Sequence, residues 1–267
     1  MGKVVKRILM LVLLGAFVFC GMTILVVRHQ YTEGDRLYEE LASQYTLRAR
    51  PRTEADQVEA GGSMLHLNQY APITVDFEAL KAKNDEVVGW IYCEDSVINY
   101  PVMQTNEDYT YLYRAYDRTT SVFGSIFVEA ENSPGFQDYN TIIYGHHMQN
   151  DAMFGSFYYW ADQDYYDSHP VMWLLTPERD YKIVLFSGYT TSAYSDTFSY
   201  FREPGESLDA YLQMALEQSE FRAPVELDPQ AHYVLLSTCS YVFASARTVL
   251  HGMLVPADSA GGVPLEG

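Results

Sequence analysis

Hydrophobic positions follow three regimes along the chain. The first is an unbroken run, since Ile8 to Val27 holds 20 residues and no charge. At about 1.5 Å per helical residue, that run spans roughly the 30 Å hydrocarbon core of a bilayer. A cleaved signal peptide is the rival reading. The run is longer than the usual apolar core of about 7–15 residues, however, and no small-residue cleavage pattern closes it, so a retained membrane anchor is expected. The second regime has helical spacing: Leu37, Leu41 and Tyr45 recur at every fourth position between Thr32 and Tyr45, with Tyr38 beside them and Asp35, Glu39 and Glu40 elsewhere. Such a stripe needs a partner surface. From Leu47 to about Asn68 the periodicity fails. Arg48, Arg50, Pro51, Arg52, Gly61 and Gly62 read there as a linker or irregular wrap, a solvated connector rather than a lipid- or wall-binding patch.

After a short helix candidate at Phe77 to Asn84, the third regime is β-rich. Gly89 to Cys93, Ser125 to Val128, Thr141 to Tyr144, Lys182 to Phe186, His232 to Ser237 and Thr248 to Val255 are short and rich in Val, Ile, Leu and Tyr. Gly, Asn, Asp and Pro turns separate them. This pattern predicts one barrel or sandwich rather than βαβ repeats. One helical insertion interrupts it: Ser207, Tyr211, Met214, Ala215 and Gln218 follow the Pro204-Gly205 turn in a run ending near Phe221. No internal repeat is visible. Residues 257–267 contain Gly261, Gly262 and Pro264 and are expected to be a flexible tail.

Charge then sets the orientation and excludes partners. The 267 residues carry 17 Lys plus Arg against 35 Asp plus Glu, a net −18. Residues 1–28 hold four of the bases (Lys3, Lys6, Arg7, Arg28) and no acid, which leaves 13 bases against 35 acids, or −22, in the remainder. Three bases precede the apolar run and one follows it, so the positive-inside bias predicts a cytoplasmic N-terminus (1–7), a single span (8–27) and an exported remainder. An exported body this acidic repels phosphate backbones, which argues against nucleic acid as a partner. No Asp-x-[Asp/Asn]-x-[Asp/Asn]-Gly loop offers a calcium site, and the acids read as a solvated surface.

Three cysteines (Cys20, Cys93, Cys239) cannot build a disulfide scaffold, and no Cys-x-x-Cys pair suggests zinc or an iron-sulfur cluster. Cys20 lies in the anchor. Cys93 follows Trp90-Ile91-Tyr92 and reads as a buried strand thiol, with a redox bridge to Cys239 as the remote alternative. Cys239 sits where an apolar strand, Tyr233 to Leu236, gives way to Ser237-Thr238-Cys239-Ser240. A thiol there is held rigidly yet within reach, although a small core cysteine fits the same pattern. As a nucleophile it needs a base or a positive charge nearby. His146 and His147 end the strand Thr141 to Tyr144 and, by strand alternation, point to opposite faces. One of them can serve Cys239, and spacing alone does not say which. Arg247 follows Cys239 by eight residues at the start of a returning strand, so a hairpin places it near the thiol. Its guanidinium can hold an oxyanion and favour a thiolate, or it can be an ordinary surface arginine.

The order His, Cys, Arg excludes papain-like enzymes, which place Cys first, and the caspase Gln-Ala-Cys signature is absent. The chain resembles a sortase, and class B most. The resemblance rests on Tyr144-Gly145-His146-His147-Met148, on Thr238-Cys239 within Leu236-Ser237-Thr238-Cys239-Ser240-Tyr241, and on Arg247. Val88-Gly89-Trp90-Ile91, Asn99-Tyr100-Pro101-Val102, Gly124-Ser125-Ile126-Phe127 and the helical insertion support it. It covers roughly residues 75–256, with 28–74 as the N-terminal helix and linker. It implies a mostly β fold: an eight-stranded sortase-type barrel with an N-terminal helix and an inserted helix, preceded by one transmembrane helix. It implies a cysteine transpeptidase of a Gram-positive-type cell surface, anchored in the membrane with its catalytic domain outside. His146, the histidine directly after Gly145, would be catalytic, Cys239 the nucleophile and Arg247 the oxyanion-side donor. Thr238 would lend its main-chain N–H or hydroxyl to the same hole, Ser237 would orient the substrate, and His147 would be structural. The partners implied are secreted proteins bearing a C-terminal sorting signal, cut after its Thr, and an amine acceptor on a peptidoglycan precursor. A pilin lysine is the alternative acceptor, and a non-catalytic binding module is the alternative of a different class. No metal, nucleotide or other cofactor is called for.

Overall fold

The structure, a computed structural model, describes residues 2–49, 70–107 and 109–257. The expected linker from residue 50 and the expected tail from residue 258 therefore lie outside the described residues. Ala257, taken as the first tail residue, instead ends the last strand.

The apolar run and the amphipathic stripe form one uninterrupted helix, α1 (Lys3–Tyr45). No Pro stands between the two segments, and Thr32, which could cap a second helix, instead donates its hydroxyl back to the Arg28 carbonyl at 3.0 Å, so the helix runs on past Arg28. Its N-terminal part is apolar and wholly exposed, with a window of mean hydropathy 2.7 that is long enough to cross a membrane. The C-terminal part carries the expected stripe, and Tyr38, Leu41 and Tyr45 are buried against the rest of the protein. The Tyr38 hydroxyl donates to the Gly124 carbonyl, and its ring meets Tyr100 edge-on at 5.4 Å. The closest approach is at Gly34, where a Cβ would overlap the buried Phe123 ring. Beyond α1, Leu47 and Arg48 are not irregular. They belong to β1 (Thr46–Arg48), which pairs antiparallel with β2 (Ile73–Val75) ahead of α2 (Phe77–Lys83). Asp76 caps α2 by accepting from the Ala79 N–H at 2.9 Å.

Eight strands then close a barrel: β3 (Val87–Tyr92), β4 (Asn99–Met103), β5 (Ile126–Val128), β6 (Thr141–Tyr144), β7 (Val171–Leu175), β8 (Asp180–Ser192), β9 (His232–Cys239) and β10 (Ala246–Ala257). The order around the barrel is β10-β8-β7-β3-β4-β5-β6-β9, closed by the β9–β10 pair. All six expected strands are present. The sequence pattern passes over β4, which carries Pro101, and β7, which is Val-Met-Trp-Leu-Leu. The short α3 (Gln163–Ser168) precedes β7. The expected insertion is α4 (Glu206–Gln218), between β8 and β9.

Strand alternation divides β9 and β10 cleanly. Val234, Leu236, Leu250 and Leu254 fill the interior with Val102 and Ile143. Tyr233, Leu235, Val249 and Met253 face outward with Ile142, Phe186 and Tyr189, and α4 covers them with Leu208, Tyr211, Leu212 and Ala215. Under α4 lies a polar knot. His251 Nε2 is 3.1 Å from the Tyr189 hydroxyl, which is also 2.9 Å from Thr197 Oγ1, and the Tyr211 hydroxyl donates to the Thr197 carbonyl at 2.9 Å. Burial pushes His251 down to about 3, so the folded protein holds it neutral.

Two predictions follow from this packing. Gly34→Leu forces α1 off Phe123 at a cost of about 1–3 kcal/mol. The expected outcome is a lower melting temperature for the full chain and faster tryptic cleavage after Arg36. His251 makes stability pH-dependent with a definite sign. The unfolded histidine takes up a proton near 6.5 and the folded one only near 3, so this contribution is fully present above pH 6.5 and is lost as pH falls through that window. The loss is up to about 1.4 kcal/mol per pH unit, and melting curves between pH 4 and 7.5 should show it in the wild type and flatten in His251→Gln.

Candidate active site

Three adjacent strands bring the expected residues together. β6 and β9 run parallel with Ile142 opposite Leu235 and Tyr144 opposite Ser237, and the Gly145 N–H extends the ladder by donating to the Ser237 carbonyl at 3.1 Å. Two further residues along both chains put His146 level with Cys239. On the other side, β9 and β10 are antiparallel with Arg247 directly opposite Cys239. Alternation from Leu235, Ile142 and Val249 assigns Cys239, His146 and Arg247 to the outer face, the one that α4 partly covers. Register thus separates the two histidines by face. Gly145 is required at this place, because a Cβ would lie 2.5 Å from Ile126 and 2.7 Å from the Phe154 ring.

Each member has a distinct setting. The half-buried His146 ring has Nε2 2.5 Å from the Leu112 carbonyl oxygen and sits 5.9 Å from the Tyr113 ring. His147 turns the other way and braces the site: its Nδ1 is 2.9 Å from the Cys239 main-chain oxygen, and its ring meets Tyr241 edge-on at 5.1 Å. Cys239 is half-buried at the strand end and is a free thiol. Arg247 has no ion-pair partner among the described residues, and its Nη1 donates to the Ala246 carbonyl at 3.0 Å.

Ser237 and Thr238 separate by face. Ser237 shares the outer face with Cys239, and its hydroxyl is fully buried with no hydrogen-bond partner. An orphaned hydroxyl of this kind costs about 1–3 kcal/mol unless something binds it. Thr238 alternates inward with Val234 and Leu236, so its equally orphaned hydroxyl faces the barrel interior, and only its main chain is on offer to the groove. Tyr144 shares the outer face with Cys239, stacked at 6.5 Å on Phe198. Burial, and then the Glu129 carboxylate beside it, raise its phenol well above the ordinary range and keep it protonated.

Sequence reasoning passed over Leu112 and Tyr113, because they approach His146 across 34 and 33 positions through a loop without periodicity. It also missed the bracing of Cys239 by His147. Cys93 is buried, as expected, and desolvation pushes its thiol up to about 12. It follows β3, which stands four strands from β9 in either direction around the barrel, so a bridge to Cys239 is sterically closed. Iodoacetamide at neutral pH should therefore modify Cys239 in the native protein and Cys93 only after unfolding, as read by peptide mass spectrometry. Alkylation of Cys93 in the folded state would contradict this placement.

No family model matches the chain. Among curated relatives, sortase B of Listeria monocytogenes is 28% identical over 251 residues, covering 92% of this chain and 95% of its own length. Among solved structures, the Staphylococcus aureus sortase B–substrate complex aligns with a TM-score of 0.70 at 22% identity, over 86% of this chain and all of the other. A sortase B complexed with triglycine aligns at 0.69 and 23% identity, over 85% of this chain and 99% of its own. At these identities the two structures speak for the fold.

Proposed function

We propose, from the premise that this chain is a class B-like member of the sortase family and a cysteine transpeptidase, that His146, Cys239 and Arg247 carry the reaction at the outer face of the barrel. The observation that supports this most is the shared register of β6, β9 and β10, which sets Cys239 on the strand between those of His146 and Arg247, an arginine with no ion-pair partner among the described residues. The anchor reading places α1 across the membrane with the N-terminus cytoplasmic and the barrel outside.

The donor is a secreted protein bearing a C-terminal sorting signal of the Asn-Pro-x-Thr kind or a relative. The Cys239 thiolate attacks the Thr carbonyl, and Arg247 holds the resulting oxyanion with its fork of N–H donors. Collapse breaks the C–N bond while His146 delivers a proton to the leaving amine, and a thioester to Cys239 remains. An acceptor amine then attacks that thioester, loses its proton to His146 and releases the thiolate. The acceptor in this reading is a wall-precursor amine; the related enzyme complexed with triglycine is in keeping with a small peptide amine at such a site. Ser237, whose buried hydroxyl has no partner, orients the bound signal. Thr238 contributes main chain rather than hydroxyl.

The test is turnover of sorting-signal peptides with candidate amines by the full chain in detergent. Cys239→Ala and His146→Ala should be inactive yet folded, whereas Cys93→Ala and His147→Ala retain measurable rate. Loss of activity in folded Cys93→Ala, or an inactive His147→Ala beside an active His146→Ala, would overturn the assignment. Arg247→Lys keeps the charge and loses the fork, and should cost roughly 10²- to 10³-fold in kcat while leaving the pH profile of Cys239 alkylation unchanged. A lysine variant that turns over like wild type would remove the oxyanion role.

A further inference from the structure

The contacts between α1 and the loop after His147 bear on where the site works. An open groove of about 480 Å³ lies between the end of the apolar run (Thr23, Ile24, Val27) and Gln149 and Asn150 of that loop. Asn150 also donates to Asp35 at 2.8 Å, so the loop lies alongside the helix from the last turns of the apolar run to two turns beyond it. Aromatic residues continue from there to the thiol. Tyr158 and Tyr159 donate to Asp151 at 3.2 and 3.0 Å, Tyr158 stacks on the His147 ring at 6.3 Å, and Tyr241 meets that ring edge-on at 5.1 Å. Tyr241 and Val242 are 74% and 77% exposed, Phe243 is 47% exposed, and all three follow Cys239 in the β9–β10 loop. Soluble surfaces rarely leave Tyr-Val-Phe in water, whereas tyrosines and apolar residues concentrate at the membrane–water interface.

We infer that this rim, comprising the 149–151 loop, Tyr158 and the Tyr241-Val242-Phe243 tip, docks on the outer headgroup layer of the bilayer that α1 crosses, so that Cys239 works at the membrane surface. The inference rests on the anchor reading given above. Continuity selects lipid as the occupant, because the rim adjoins the point where the apolar run ends and α1 has no break there that would let the barrel swing away. The docking is apolar in character. The rest of the chain is strongly acidic, so attraction to anionic lipid is not what holds it.

The experiment uses the full chain in phosphatidylcholine nanodiscs, carrying Tyr241→Trp or, as control, Glu178→Trp. Glu178 lies in the β7–β8 turn at the end of the barrel where Ala257 pairs with Asp180, about ten strand residues or roughly 30 Å from Arg247. Emission in excess of wild type is compared with and without lipids brominated near the glycerol. The expected result is a blue-shifted emission from the Trp at 241 that brominated lipid quenches equally at low and high salt, with no quenching at 178. Val242→Trp repeats the measurement should Tyr241→Trp fail to fold. Incorporation into discs with the 241 and 178 probes behaving alike would overturn the docking while leaving the anchor intact. Quenching that disappears at one copy per disc would make a second copy the occupant and also overturn it. A chain that never enters the discs would remove the anchor reading, and the docking with it.

Discussion

The parallel ladder between β6 and β9 is the constraint on which the rest of the molecule depends. A strand's side chains alternate, so a slip of one residue would send His146 into the barrel and bring His147 to the groove. The register is held on both faces at once: Ile143 and Leu236 are buried inside, while Ile142 and Leu235 are buried beneath α4. Any slip would therefore exchange two well-packed apolar surfaces rather than one. The antiparallel β9–β10 pair, regular from His232 to Cys239, transmits the same constraint to Arg247. Register alone thus sets three residues far apart in sequence at the same end of neighbouring strands.

The candidate site lies on the outside of the closed barrel and depends on what packs around it. α4 covers the neighbouring stretch of that face, fixed by Tyr189, Tyr211 and the neutral His251 to the strands beneath. Tyr144 stacks on Phe198, and the loop through Leu112 and Tyr113 meets the His146 ring. The floor carries an unsatisfied Ser237 hydroxyl, a local cost of the kind that functional sites retain when a ligand relieves it. Arg247 likewise has no carboxylate partner among the described residues, in a protein with twice as many acids as bases.

Helix α1 joins this site to the apolar run without a hinge. At about 1.5 Å per residue its 43 residues extend roughly 65 Å. The contact of Gly34 with Phe123 lets the helix lie close enough for Tyr38 and Leu41 to bury. Close packing on one helical face therefore sets both the orientation of the barrel and its distance from the end of the apolar run.

Much of this was legible in the sequence, because periodicity and local chemistry are local properties. The uncharged run, the stripe Leu37-Leu41-Tyr45, six short apolar strands bounded by turns, the inserted helix and the setting of Cys239 at a strand end could all be read from neighbours a few residues apart. Two barrel strands were not: β4 carries Pro101, which argues against a strand, and β7 is Val-Met-Trp-Leu-Leu, whose Met172 and Trp173 lie outside the Val, Ile, Leu and Tyr set that marked the others. The resemblance singled out His146, but the residues alone left His146 and His147 equivalent. Only the pairing of β6 with β9, about 90 residues apart, distinguishes them. The inward turn of Thr238, the support of His146 by Leu112 and the separation of Cys93 from Cys239 are also decided by which strands become neighbours. Strand partners are chosen by the burial of the whole barrel, and no short window of sequence carries that information.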